Sequence, residues 1–164
     1  MQARERLRLL FLKTTDRKDR GMSRFEQFSV SIFSITHYWN RIATEEMREH
    51  GLKGSYALYL LTLYAAQDGI TAAQLCEMTQ RDKADVSRAV SIFQEKGFVE
   101  EYGGNRYRAP IKLTDKGKQV AANIRKKADS ALQTAGEGLS EEMRRNMYKA
   151  LEIISANLKE MSET

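Results

Sequence analysis

Few side chains in this 164-residue chain are of the types that do covalent or metal chemistry. The two histidines, His37 and His50, lie thirteen positions apart on one expected helix, without an identifiable nucleophile beside them. With the single cysteine, Cys76, they cannot alone supply a structural zinc site; carboxylates would have to complete it. Cys76 sits among Ala72, Ala73, Leu75 and Met78 with no basic neighbour to activate it, and reads as a small core residue. The chain contains no Gly-x-Ser-x-Gly elbow, no P-loop and no dinucleotide fingerprint. Catalysis, a metal site and a bound cofactor are therefore not expected.

The chemistry that remains is recognition. Asp82 is an N-cap residue opening a helix to about Lys96, with Val86, Ala89, Val90 and Phe93 as its inward face. At about 100° per residue, Ala84, Arg88, Ser91 and Glu95 fall on the opposite side. Asp85 and Ser87 flank that side, Lys83 lies near the helix start, and Arg81 stands in the turn before it. A helix entering a DNA major groove reads bases with its N-terminal half, so Arg81, Lys83, Ala84, Ser87, Arg88 and Ser91 form the candidate set. Arg88 has the fork to bridge guanine O6 and N7, Ala84 the methyl to meet thymine, and Ser87 a hydroxyl for base or phosphate. The plainer account is a solvated face on which Arg88 pairs with Asp85, three residues back. Farther on, alternation puts Tyr107, Ala109, Ile111 and Leu113 on one face of a strand and Arg106, Arg108 and Lys112 on the other. Arginines at a hairpin tip suit a narrow, negative minor groove, although charges and Pro110 would equally blunt an edge strand.

These groups need a frame. Hydrophobic residues at 41% and charged residues at 30% are values of a folded domain, and the one proline favours long helices. The net charge is +5, but the first twenty residues hold seven basic and three acidic side chains, a balance of +4. The body is thus nearly neutral, and residues 1–22 form a basic arm. With no apolar run long enough for a membrane span or signal core and no disulfide framework, a cytoplasmic protein is expected. Ser23 with Glu26 is a capping box opening a helix to about His50, stopped by Gly51. Along it Phe25, Phe28, Ile32, Ile35, Trp39 and Ile42 keep heptad spacing, a narrow stripe that needs a partner helix. A second helix, about Ser55 to Gln67, is apolar nearly all round and reads as a domain centre. Thr71 with Gln74 caps a short third helix ending near Met78, before the helix opened by Asp82. Short strands over Phe98–Glu101 and Arg108–Leu113 flank the turn signal Gly103-Gly104-Asn105. Thr114 caps a fifth helix to about Gly136. Ser140 starts a last helix with the stripe Met143, Met147, Leu151, Ile154, Leu158 and Met161.

Helix, turn, helix and hairpin is the winged helix-turn-helix order. With long helices at both ends, the arrangement resembles the MarR family of bacterial transcription regulators. The blocks that carry the resemblance are Gly69-Ile70-Thr71-Ala72-Ala73-Gln74-Leu75, Asp85-Val86-Ser87-Arg88-Ala89-Val90, Glu95-Lys96-Gly97-Phe98-Val99 and Ile111-Lys112-Leu113-Thr114-Asp115-Lys116-Gly117. The tip Tyr102-Gly103-Gly104-Asn105-Arg106-Tyr107-Arg108 departs from the family by lacking the usual wing acids, and the first helix lacks the cysteine of the family's peroxide sensors.

The resemblance implies a mainly α fold: a winged helix-turn-helix lobe over 51–115, with residues 23–50 and 116–164 as a helical dimerisation region. Phe25, Phe28, Ile32, Ile35, Trp39, Leu151, Ile154 and Leu158 would form the dimer interface. It further implies a homodimer on a pseudo-palindromic double-stranded DNA operator, acting as a repressor. A small aromatic effector would be bound by Phe33, His37, Arg41, Tyr56 and Tyr59. The alternative is a winged-helix module that contacts protein, in keeping with the acids Asp85, Glu95, Glu100 and Glu101 around the reading head.

Overall fold

A computed structural model describes residues 23–100 and 109–163. The chain divides into two compact units, one ending at Ser55 and the other starting at Tyr56. In the first, helix α1 spans Arg24–Arg48. Both halves of its capping box form: the Glu26 amide donates to Ser23 Oγ at 3.2 Å, and the Ser23 amide to Glu26 Oε2 at 2.7 Å. These bonds satisfy two backbone donors that a helix start leaves without partners. At the other end Gly51 takes a left-handed φ of +63°, and the Leu52 amide folds back onto the Met47 carbonyl at 3.0 Å. A side chain at residue 51 would resist that backbone angle, so glycine ends the helix where the sequence places the stop.

The second unit holds α2 (Tyr56–Ala65), α3 (Ala72–Thr79), α4 (Lys83–Glu95), α5 (Asp115–Ala135) and α6 (Glu141–Glu163). Helix α2 is the hub: it packs against α3, α4 and α5, and buries Tyr56, Tyr59, Leu60 and Leu63. Its nearly all-apolar sequence follows from that position, since three neighbours leave little of its circumference to solvent. Leu75 of α3, Val86, Ala89, Val90 and Phe93 of α4, and Ala121 and Ile124 of α5 complete the core with Phe98, Val99, Ile111 and Leu113. Between α3 and α4, Gln80 takes a left-handed φ of +52° and its amide closes onto the end of α3. Helix α6 starts with Met143 N–H on Ser140 Oγ at 3.2 Å and buries none of its residues. Arg144 ties its first turn to the end of α5 through the Gly136 carbonyl at 2.6 Å.

Extended backbone is confined among the described residues to two antiparallel bridges. Val99 pairs with Leu113, with Glu100 N–H on the Lys112 carbonyl at 2.9 Å. Ile70 pairs with Ile111 through two backbone bonds of 2.8 and 3.3 Å. The expected alternation holds at Ile111 and Leu113, which are buried, and at Lys112, which is exposed. The Ile70 pairing was not expected, because Ile70 reads in sequence only as the residue before a helix cap. The expected turn at Gly103-Gly104-Asn105, like the arm of residues 1–22, lies outside the described residues.

Two of the sequence blocks meet at the end of α4. Gly97, with φ of +68°, ends the helix, and Thr114 donates its hydroxyl to the Gly97 carbonyl at 2.7 Å. The same hydroxyl accepts from Gly117 N–H at 3.0 Å, so one side chain caps the start of α5 and binds the exit of α4. Lys116 reaches the Lys96 carbonyl at 2.7 Å while its ammonium lies 5.2 Å from the Phe98 ring centroid. Gly117 passes so close to Phe98 that an added Cβ would overlap the Phe98 carbonyl. Backbone has no flexible end to move aside, so this glycine is required by approach and not by φ. Gly117→Ala should lower stability by about 1–3 kcal/mol in urea unfolding. Thr114→Ala, losing a cap and a cross-chain bond, should cost about 1 kcal/mol.

Candidate nucleic-acid interface

Helix α4 is held at its start, along its inner face and at its end. Asp82 sits in extended conformation before it and accepts the Asp85 amide at 2.7 Å. The residues at 86, 89, 90 and 93 are buried as their spacing requires. The clamp from Thr114 and Lys116 holds its end. The opposite face is left to solvent: Lys83, Ala84, Ser87, Arg88 and Ser91 are all exposed, and so is Arg81 in the preceding turn. The six expected reading residues therefore share one accessible surface on an anchored helix. That surface combines three cations with small side chains that allow close approach of a base edge.

Asp85 lies at the margin of this face and is shared. Tyr59, itself fully buried, donates its hydroxyl to Asp85 Oδ2 at 2.5 Å, and Arg88 Nη2 stands 3.5 Å from Oδ1. The carboxylate is the part-buried member of the ion pair, while Arg88 remains largely in solvent. The tyrosine hydrogen bond holds the Asp85 carboxyl below its ordinary range; burial opposes this, and Arg88 and Arg81 add to it. For Tyr59, burial acts first and the anionic Asp85 second, and together they push the phenol far above its ordinary range. The expected Asp85–Arg88 pairing is present. Its third member was not legible, because Tyr59 and Asp85 are 26 residues apart and neither flank marks them as partners.

The remaining expected site residues are distributed as follows. Phe25, Phe28, Ile35 and Trp39 on α1 are exposed and Ile32 is partly so, although all five are apolar or aromatic. On α6, Leu151 and Leu158 are exposed and Ile154 partly so. Phe33, His37 and Arg41 lie exposed on another side of α1, with His37 edge-on to Tyr38 at 5.2 Å and Arg41 paired to Glu45 at 3.6 Å. Tyr56 and Tyr59 lie in the core of the second unit, where Tyr56 meets Phe93 edge-on at 5.8 Å. Arg106 and Arg108 fall outside the described residues. Cys76, expected in the core, is half-buried. Among the described residues no group of three or more metal-binding side chains assembles, and no helix is long and apolar enough to cross a membrane.

Residues 50–104 match the model of the MarR family. Over 126 residues the chain is 25% identical to the uncharacterised HTH-type transcriptional regulator YybA of Bacillus subtilis, covering 76% of this chain and 83% of that one. In residues 50–104 the chain is thus similar to the MarR family. Its mainly helical fold matches those of MarR winged helix-turn-helix structures. Among solved structures, a MarR transcriptional regulator from Methanosarcina mazei is similar in fold, with a TM-score of 0.75, 22% identity and coverage of 87% of this chain and 97% of that one. The Staphylococcus aureus MepR–DNA complex is similar with a TM-score of 0.72 and 25% identity, covering 83% and 99%. The unforeseen Ile70–Ile111 bridge joins a residue inside the matched stretch, just before α3, to one beyond its end.

The Tyr59–Asp85 bond gives the lobe a pH signature at both ends. Asp85, with its folded pKa lowered, stabilises the fold above its ordinary pKa of 3.8, and this contribution disappears as pH falls through the lower folded value. Tyr59, with its folded pKa raised, stabilises below its ordinary 10.0, and this is lost as pH rises beyond that point. Tyr59→Phe should remove the loss of stability above about pH 10 that this phenol causes. It should also reduce the loss seen below about pH 4. Thermal unfolding across the pH range checks both limbs.

Proposed function

We propose that this protein is a MarR-family regulator, a homodimeric, sequence-specific DNA-binding repressor, with α4 in the major groove of a pseudo-palindromic operator. The observation that carries the reading is the division of α4: four positions buried and both ends bound, against five exposed positions suited to base edges and phosphates. Similarity to the MepR–DNA complex at 25% identity supports the same placement. Arg88 reads guanine, Lys83 and Arg81 meet phosphate, and Ala84, Ser87 and Ser91 set the fit against neighbouring bases. Arg106 and Arg108 serve the minor groove from the wing.

Dimerisation is supported by the apolar surface left on α1 and α6, which a soluble single chain would have reason to cover. A pair of chains would offer two copies of α4 to two half-sites. A small aromatic effector alters DNA affinity in this reading, with Phe33, His37 and Arg41 as the exposed α1 side chains available to it. The reading places the protein in the cytoplasm with its operator.

Light scattering at micromolar protein should give about twice 18.8 kDa. A stable monomer there would overturn the dimer and the palindrome together. On DNA upstream of its own gene, Arg88→Ala should cost about 1–3 kcal/mol and relax discrimination at one base pair. Arg106→Ala and Arg108→Ala should weaken cognate and unrelated DNA more evenly and flatten the salt dependence. If Arg88→Ala binds every sequence as the parent does, α4 is not the reading helix, and the protein-contacting module becomes the better account.

A further inference from the structure

The reading face contains an anion in an awkward place. Asp85 lies one turn into α4, on the margin of a surface assigned to phosphates and base edges, where a free carboxylate would repel DNA. Its two oxygens are divided: Oδ2 takes the hydroxyl of Tyr59 at 2.5 Å, and Oδ1 faces Arg88 at 3.5 Å. Tyr59 has no freedom to follow a moving partner, since it is fully buried on the hub helix and its ring lies 6.0 Å from that of Tyr56. An acidic side chain on an exposed helix ordinarily samples several rotamers. Here one oxygen is fixed from the core, so the other has a set position from which to hold the guanidinium.

We propose that Tyr59 is a positioning residue for DNA sequence discrimination, acting through Asp85 to fix the direction in which Arg88 leaves α4. The assignment rests on the DNA-reading function proposed above. Its chemical logic is that of a second layer behind a contact. A bidentate arginine on guanine distinguishes bases only while its plane is held, because a mobile guanidinium satisfies phosphate and base acceptors alike. The buried phenol supplies the fixed end, the carboxylate transmits it, and Arg88 presents it. The ion pair alone would not do this, as an exposed pair three residues apart contributes little and leaves both partners mobile.

The test is selection from a randomised DNA duplex library followed by sequencing, using the full-length parent, Tyr59→Phe, Asp85→Asn and Arg88→Ala, each confirmed folded by thermal unfolding. Arg88→Ala locates the base position that Arg88 reads. Tyr59→Phe should reduce discrimination at that position by about three- to tenfold, the range of one net hydrogen bond, and leave the other positions and the affinity for unrelated DNA within twofold. Asp85→Asn, which disturbs the same relay from its middle, should alter the same position, and it provides the test should Tyr59→Phe fail to fold. A structural role alone would lower stability without changing one column of the selected motif. Tyr59→Phe or Asp85→Asn as selective as the parent at the Arg88 position, or weakened equally at all positions, overturns the assignment. A parent that selects no motif overturns the DNA-reading function itself, and the assignment with it.

Discussion

The exit of α4 is the constraint on which the second unit depends. A helix that ends in solvent frays, and its last carbonyls have no partners within the helix. In this chain the carbonyls of Lys96 and Gly97 are taken by Lys116 and Thr114, residues 20 and 17 positions farther along. The approach is closed by Gly117 against the Phe98 carbonyl. Helix α4 is thus fixed at its start by its own neighbour Asp82 and at its end by the start of α5. The two antiparallel bridges lie beside the same contacts, since Ile111 and Leu113 stand just before Thr114.

Most of this fold was legible because its signals are local. The capping pairs Ser23/Glu26 and Thr71/Gln74, the N-caps Asp82 and Thr114, and the stops Gly51 and Gly97 each act within a few residues. The structure forms every one of them. The inward residues of α4 followed from a 3.6-residue period, and the exposed reading face is simply their complement. The blocks used for the family resemblance have a physical content as well: Glu95–Val99 and Ile111–Gly117 are the two sides of one clamp.

What was not legible is pairing across long separations. Ile70 finds Ile111, Lys116 finds the Lys96 carbonyl, and Tyr59 finds Asp85, each across twenty or more residues. None has a flanking pattern that names its partner. Tyr59 illustrates the difficulty: beside Tyr56 on an apolar helix it reads as pocket lining, and only the packing of α2 against α4 shows its hydroxyl on a carboxylate. Net charge says little about α4 for a related reason. The arm holds nearly all the net charge, whereas the cations of α4 matter by position and are partly balanced by Asp82 and Asp85.

The division of α4 into a fixed and an outward face also bears on how such a protein changes its target over generations. Ala84, Ser87 and Ser91 are exposed, so exchange at these three positions leaves the buried core of the helix as it is. On the proposed DNA-reading function, exchange there would alter DNA preference one residue at a time with the core of the helix kept. Positions 85 and 88 are different, because a new residue at 88 leaves a carboxylate oriented by Tyr59 with nothing to hold. On the same proposal, change at that pair is coupled in a way that change at the three small positions is not.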